Sequence, residues 1–489
     1  MAKRGLNKVK RYLSRKQLII SSVIIIIFLI TFSVNTVLSY TIATLCFWAL
    51  GMLFSLSDIR NRFTLFSFNI GFFLFLIGGY VYHWIQEGNW KYFSNSTATI
   101  LHTCCCLAVS LFIIVFFSVI IRDDSGRVAE SESEKEPDIR NHKYLMPMIR
   151  LILIISFLCE LMVEVVTTYI TRTTSYALSL NISTGLPTIV TSLAAYYYIA
   201  LFLYWSLFPK MRGTILSFIG LAVIEITILI SGERGEPISL GFTLVFYILM
   251  RQRKGYFDIK IPKRYVVLVI LIAPLLISSL QALSYSRVNR EYEASVTESV
   301  EEFFETQGGS VKIIANGYDL YDRISEIGGN SFVLGTVRNY LENNIFTRII
   351  TGRERRERTT EDAYSGNSYI ASYGYSYSPY TYSKGVGSGS TYIAEVYQDG
   401  GFIFLIVFNF FLAILFKWVD SKEANSIIVS AIILNIFRYM VLLPRGLALQ
   451  WLTSTFSIQN LILFAVIFFL NQQQRKRESI QQNLYERSE

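Results

Sequence analysis

Charge is what this sequence has least of. Asp, Glu, Lys and Arg make up 17% of its 489 residues, while hydrophobic residues make up 52% and mean hydropathy is +0.41. A soluble domain carries about 25% charged residues, so a water-facing surface over a single soluble core is excluded. Cysteine is scarce as well: Cys46, Cys104, Cys105, Cys106 and Cys159 all fall inside apolar runs. With none in a loop, a disulfide framework that staples external segments is excluded. The CCC triplet sits beside His102, but consecutive helical residues point in different directions and do not converge on one ion. Histidine is limited to His83, His102 and His142. No internal repeat is visible.

What the chain has instead is long apolar runs. About 20 such residues cross a bilayer as a helix, and a helix satisfies its own backbone there. Runs fall near 18–35, 40–55, 63–82, 98–121, 147–170, 186–208, 213–230, 237–250, 265–284, 394–416, 425–443 and 451–470. The expected fold class is an all-α polytopic membrane protein with about twelve transmembrane helices. Its expected organisation is a basic N-terminus (1–17), spans one to nine (18–284), a large loop (285–393), spans ten to twelve (394–470) and a tail (471–489). The first run follows MAKRGLNKVKRYLSRK in the manner of a signal peptide. It is too long, and no small-x-small cleavage site follows, so it reads as an uncleaved helix.

The net charge of +9 is a topology signal, and no nucleic-acid partner is expected. With the N-terminus inside, Lys and Arg crowd the cytoplasmic loops and leave Lys91, Arg172, Arg234 and Arg445 in the short external ones. That asymmetry obeys the positive-inside rule, and the basic loops suit anionic membrane lipids. Both termini are then cytoplasmic and 285–393 is external. Residues 122–146 carry mixed charge and few apolar groups, the composition of a disordered linker. The external loop is long enough to be functional or folded. VEEFFETQGGSVKIIANGYDLYDRISEI reads as partly helical, with a break at 308–310.

The few external charges carry the chemistry. SGERGEP holds Glu233, Arg234 and Glu236 between glycines; LLPRGLALQW holds Arg445; YSRVNREY holds Arg287 and Arg290. Arg438 lies seven residues before Arg445, two turns deeper, and an intramembrane arginine is a functional-site candidate by default. Arginine suits two-pronged recognition of phosphate oxygens, so this set points to a lipid-linked phosphate or pyrophosphate. Each arginine alone equally suits a helix cap or a lipid head group. The loop adds tyrosines, Tyr377, Tyr382 and Tyr392 among them, whose rings and hydroxyls fit a sugar or equally a polar tract without fixed structure. Glu395 and Asp399 are one helical turn apart, with Thr391 and Gln398 beside them. They suit a general base or a helix-end salt bridge. Glu160, Glu164 and Glu225 are further intramembrane carboxylates that could line a cavity or pair with Arg150 or Arg438.

The run GNSYIASYGYSYSPYTYSKGVGSGSTYIAEVYQDGG resembles a segment of bacterial O-antigen and capsule repeat-unit polymerases, the Wzy group. Gln307, Gly308 and Ser310, the Gly232–Arg234–Gly235 turn, and Pro444–Arg445–Gly446 are similar to further elements of that family. The chain departs from the family pattern at Gln398–Asp399–Gly400. The resemblance implies a metal- and cofactor-independent polymerase at the outer face of the cytoplasmic membrane. It would transfer a growing glycan from undecaprenyl pyrophosphate onto the next lipid-linked repeat unit, alongside a chain-length regulator and a flippase. It implies Arg234 and Arg445 on the pyrophosphate and Glu395 as base or positioning carboxylate, with Arg287, Arg290, Arg438, Glu233, Gln307, Tyr377, Tyr382, Ser390, Tyr392 and Asp399 as substrate-binding candidates. A ligase of the O-antigen type would be expected to use a histidine in the large loop, and none is there. A lipid-oligosaccharide flippase explains the spans but not the long loop.

Overall fold

The computed structural model describes residues 15–90, 92–121, 145–174, 184–256, 295–344, 347, 350–352, 359–385, 387, 389–421 and 426–486. The expected ninth span, 265–284, and most of the 122–146 linker lie outside them. The described elements are all helical. In chain order the first eight are α1 (Arg15–Val34), α2 (Val37–Ser57), α3 (Phe63–Glu87), α4 (Thr97–Ile120), α5 (Leu145–Thr173), α6 (Thr188–Ser206), α7 (Met211–Ser231) and α8 (Gly235–Arg253). The loop folds into α9 (Val296–Thr306), α10 (Ser310–Asp319), α11 (Tyr321–Gly328), α12 (Phe332–Asn343), α13 (Thr360–Tyr364), α14 (Tyr369–Tyr377) and α15 (Pro379–Ser383). The chain re-enters the bundle in α16 (Tyr392–Ser421) and α17 (Ile427–Met440), then α18 (Gln450–Thr455) and α19 (Ile458–Glu486).

Among the described residues seven helices, α1 to α4, α6, α7 and α16, are long and apolar enough to cross a membrane. The protein is a multi-pass membrane protein. Helices α1, α2, α4 and α16 pack as one group and α5 to α8 with α17 as another, and α3 touches both. Bilayer-facing residues stay exposed along them, among them Leu53, Leu216 and Ile403. That is the expected outcome where lipid covers the apolar surface.

Helix α3 holds the loop helices against the bundle through glycines. A Cβ at Gly71 would lie 1.9 Å from the Val441 carbonyl oxygen, and one at Gly79 would lie 2.8 Å from that of Phe304. Gly308 returns the fit, since its Cβ would meet the Gly79 backbone at 2.9 Å. The helix widens into a π segment at Phe73–Ile77, between these contacts. Two neighbours therefore press on one helix: the α9–α10 junction and the turn that follows α17.

Candidate functional site

The polar residues at the head of α16 are taken up by other segments. Gly400 (φ −164°, ψ 24°) and Gly401 (φ 60°, ψ −149°) break the helix, and Gly401 sits in the left-handed region that glycine tolerates best. Residues 392–399 thus form a separate upper segment. On it, fully buried Glu395 accepts the Ala448 backbone N–H at 2.8 Å and the Thr336 hydroxyl at 3.3 Å. Asp399 accepts the N–H groups of Phe332 and Val333, both at 2.8 Å. These open α12, whose own N-cap Ser331 supplies no side-chain cap, so Asp399 caps that helix from another segment. Gln398 donates to the Tyr321 carbonyl at 3.0 Å and the Ser325 hydroxyl at 2.9 Å.

Glu395 thereby fixes the turn that carries Arg445. Leu443–Arg445 form one turn of 3₁₀ helix with Pro444 inside it, and Ala448 follows three residues later. The exposed Arg445 guanidinium lies 5.0 Å from the centre of the Phe75 ring and donates to Oε1 of Gln307. Gln307 caps α9 beside the Gly308–Gly79 contact. Arg445 is therefore set between the α3 π segment below and the loop helices above.

Opposite this turn stands the α7–α8 connection. Gly232 ends α7 at φ 93°, and Arg234 immediately precedes α8. A cavity of about 160 Å³ lies between the two turns, lined by Glu233, Gly235, Glu236 and Ser239 from one side and by Arg438, Tyr439, Leu442, Leu443, Gly446, Leu447, Gln450 and Trp451 from the other. The neighbours of Arg234 and of Arg445 share this wall. Arg438 is buried, forms an ion pair with Glu236, and stacks 3.8 Å over the Tyr198 ring. The Tyr198 hydroxyl donates to Oε1 of Glu225 at 3.2 Å. Ser239, one turn after Glu236, donates to the Arg438 carbonyl. A buried arginine needs such a partner, because one left uncompensated is strongly destabilising.

The remaining candidates divide. Arg287 and Arg290 lie outside the described residues. Tyr377 is 56% exposed and stacks on Tyr373 at 5.9 Å. Tyr382 and Tyr392 face inward: their hydroxyls donate to the Thr359 carbonyl (3.2 Å) and to Asn409 Oδ1 (2.9 Å), and Ser390 is buried beside them in sequence. Burial pushes the Tyr373 hydroxyl up to about 12, so it stays a neutral hydrogen-bonding group. Sequence alone does not single out Ser239, Tyr198 and Thr336 as site residues, and it leaves Glu236 among the external charges without an assigned partner. Ser239 was findable, because it shares a helix face with Glu236; the long-range partners carry no local signal.

A glycine-seated turn bearing arginine and a buried ion pair thus border one cavity in a multi-pass helical bundle. The family model described as O-antigen polysaccharide polymerase Wzy matches residues 17–478, and the chain belongs to that family. No curated protein and no solved structure matches the chain.

Proposed function

We propose that the chain transfers a growing glycan from a polyprenyl pyrophosphate carrier onto the next lipid-linked repeat unit, at the loop-bearing end of the bundle and on the outer face of the cytoplasmic membrane. The observation that supports this most directly is a cavity whose walls come from both the Arg234 turn and the Arg445 turn, with Arg438 and Glu236 between them. In the reaction an acceptor hydroxyl attacks the anomeric carbon, the bond to the pyrophosphate breaks, and the pyrophosphate leaves with the electron pair. Sugar transfer of this kind develops oxocarbenium character, so the leaving charge is what the protein must stabilise. Arg234 and Arg445 are the groups we assign to it. Preorganised donors aimed at developing charge need no further reorganisation.

The acceptor proton needs a carboxylate with room beside it. Both oxygens of Glu395 already accept hydrogen bonds, so we assign Glu395 to positioning the Arg445 turn. Glu233, exposed on the cavity wall, is assigned to the proton. Tyr377, on the exposed side of α14, is assigned to the glycan.

The test is the polymer made by membranes carrying Arg234→Ala or Arg445→Ala. Each is expected to lower polymerisation on the order of 10²-fold, the usual cost of removing one such donor, and single lipid-linked units accumulate. A ladder of normal length from both variants, with the protein present at normal amount, overturns the assignment.

A further inference from the structure

A second cavity, of about 670 Å³, opens between α5, α6 and α7 and shares no lining residue with the site just described. We propose that it binds one anionic glycerophospholipid of the adjacent leaflet, with the phosphate at Arg150 and Arg212 and an acyl chain along α7. This does not depend on the polymerase reading.

The cavity wall is almost wholly apolar, and its two cations, Arg150 near the start of α5 and Arg212 at the start of α7, are both exposed. Both therefore stand at the same end. Helices α5 and α7 run parallel: Thr168 donates to the Thr227 carbonyl at 3.1 Å and Arg172 to the Ile230 carbonyl at 2.7 Å near their other ends. On the lined face of α7, Gly213 and Gly220 let the Tyr204 hydroxyl and the Phe157 ring pack close to the helix, a Cβ at Gly220 touching that ring at 3.6 Å; room for a chain is the cavity volume itself.

Length chooses the occupant. From Arg212 to Val223, the last lining residue on α7, the helix rises about 16 Å at ~1.5 Å per residue. That is about half of the ~30 Å hydrocarbon core, the depth of one leaflet. A polyprenyl carrier would overrun the groove, and a free phosphate would leave its apolar length unfilled. Basic pockets between transmembrane helices are suited to anionic head groups.

The full-length protein in neutral detergent is titrated with dioleoyl phosphatidylglycerol or dioleoyl phosphatidylcholine, and the first lipid adduct is read by native mass spectrometry. The anionic lipid is expected to bind about tenfold or more tightly, as two surface arginines allow. Arg150→Gln with Arg212→Gln should abolish that preference, and Arg150→Lys with Arg212→Lys should retain most of it. Leu216→Trp, at a lining residue that is 69% exposed, should reduce the first adduct of both lipids by filling the groove. Equal affinity for the two lipids overturns the proposal, as does a preference that survives the double glutamine change. So does displacement of phosphatidylglycerol by an equimolar polyprenyl phosphate, or by millimolar inorganic phosphate.

Discussion

The two ends of α16 solve the same local problem with the same chemistry. At the upper end Glu395 accepts a threonine hydroxyl and a backbone N–H, from Thr336 and Ala448. At the lower end Asp420 accepts both from Thr64, at 2.8 Å and 3.1 Å. What differs is the segment being held. Asp420 caps the start of α3, whose first ten residues are regular α-helix and whose N-cap Arg62 supplies no side-chain cap. Glu395 holds an irregular turn that carries an exposed arginine. The buried arginines differ in parallel. Arg251 donates to neutral oxygens of Pro209, Thr214 and Tyr247, while Arg438 is paired with a carboxylate on a cavity wall. Polar burial at the lower end holds helices; at the upper end it holds a surface that a ligand can reach.

The largest effect should come from the arginine pair. Glu236→Ala leaves Arg438 buried without its partner and is expected to cost about 3 kcal/mol, the lower part of the range for breaking such a pair, because Glu236 is partly exposed. Tyr247→Phe removes one neutral partner of Arg251 and should cost about 1.5 kcal/mol. Thermal unfolding in detergent measures both, and equal losses would erase the difference between the ends.

Next comes the pair of acids. Glu395→Ala and Asp420→Ala each leave a buried N–H without its acceptor, and each should cost about 1–3 kcal/mol. Per folded molecule, Glu395→Ala should also lower polymerisation on the order of tenfold or more, since a misplacement of about 1 Å can cost 10²-fold. Asp420→Ala should leave it unchanged. Polymer length normalised to detergent-resistant folded protein checks this, and parallel losses would reduce Glu395 to a purely structural role.

How much of this was readable beforehand depends on range. Apolar runs announce helices through length alone, and α7 begins and ends within two residues of the expected 213–230 run. The shared face of Glu395 and Asp399 follows from their spacing of four. Their partners do not, because Ala448 is 53 residues from Glu395 and Phe332 is 67 from Asp399. The choice of partner for Arg438 was likewise open until the structure paired it with Glu236, a residue of a different hairpin. The tyrosine tract misleads for a related reason. Its glycines and serines read locally as loop, yet Tyr369 and Tyr373 are buried and turn 369–377 into a helix. That burial is supplied by neighbours such as Phe332, whose ring meets Tyr369 edge-on at 5.5 Å.

The smallest effects should separate two tyrosines that look alike in sequence. Tyr382 is 5% exposed and its hydroxyl holds the Thr359 carbonyl, so Tyr382→Phe should cost about 1 kcal/mol in unfolding free energy and shorten the polymer only in proportion to the protein lost. Tyr377 is 56% exposed, and Tyr377→Ala should stay within about 0.5 kcal/mol in stability. If its ring carries sugar, polymerisation should still fall about five- to tenfold, the loss of about 1 kcal/mol of ring contact. The two variants therefore move opposite readouts, one in melting temperature and one in chain length. A normal ladder from Tyr377→Ala would return that face of α14 to ordinary surface and leave substrate contact to the arginine turns alone.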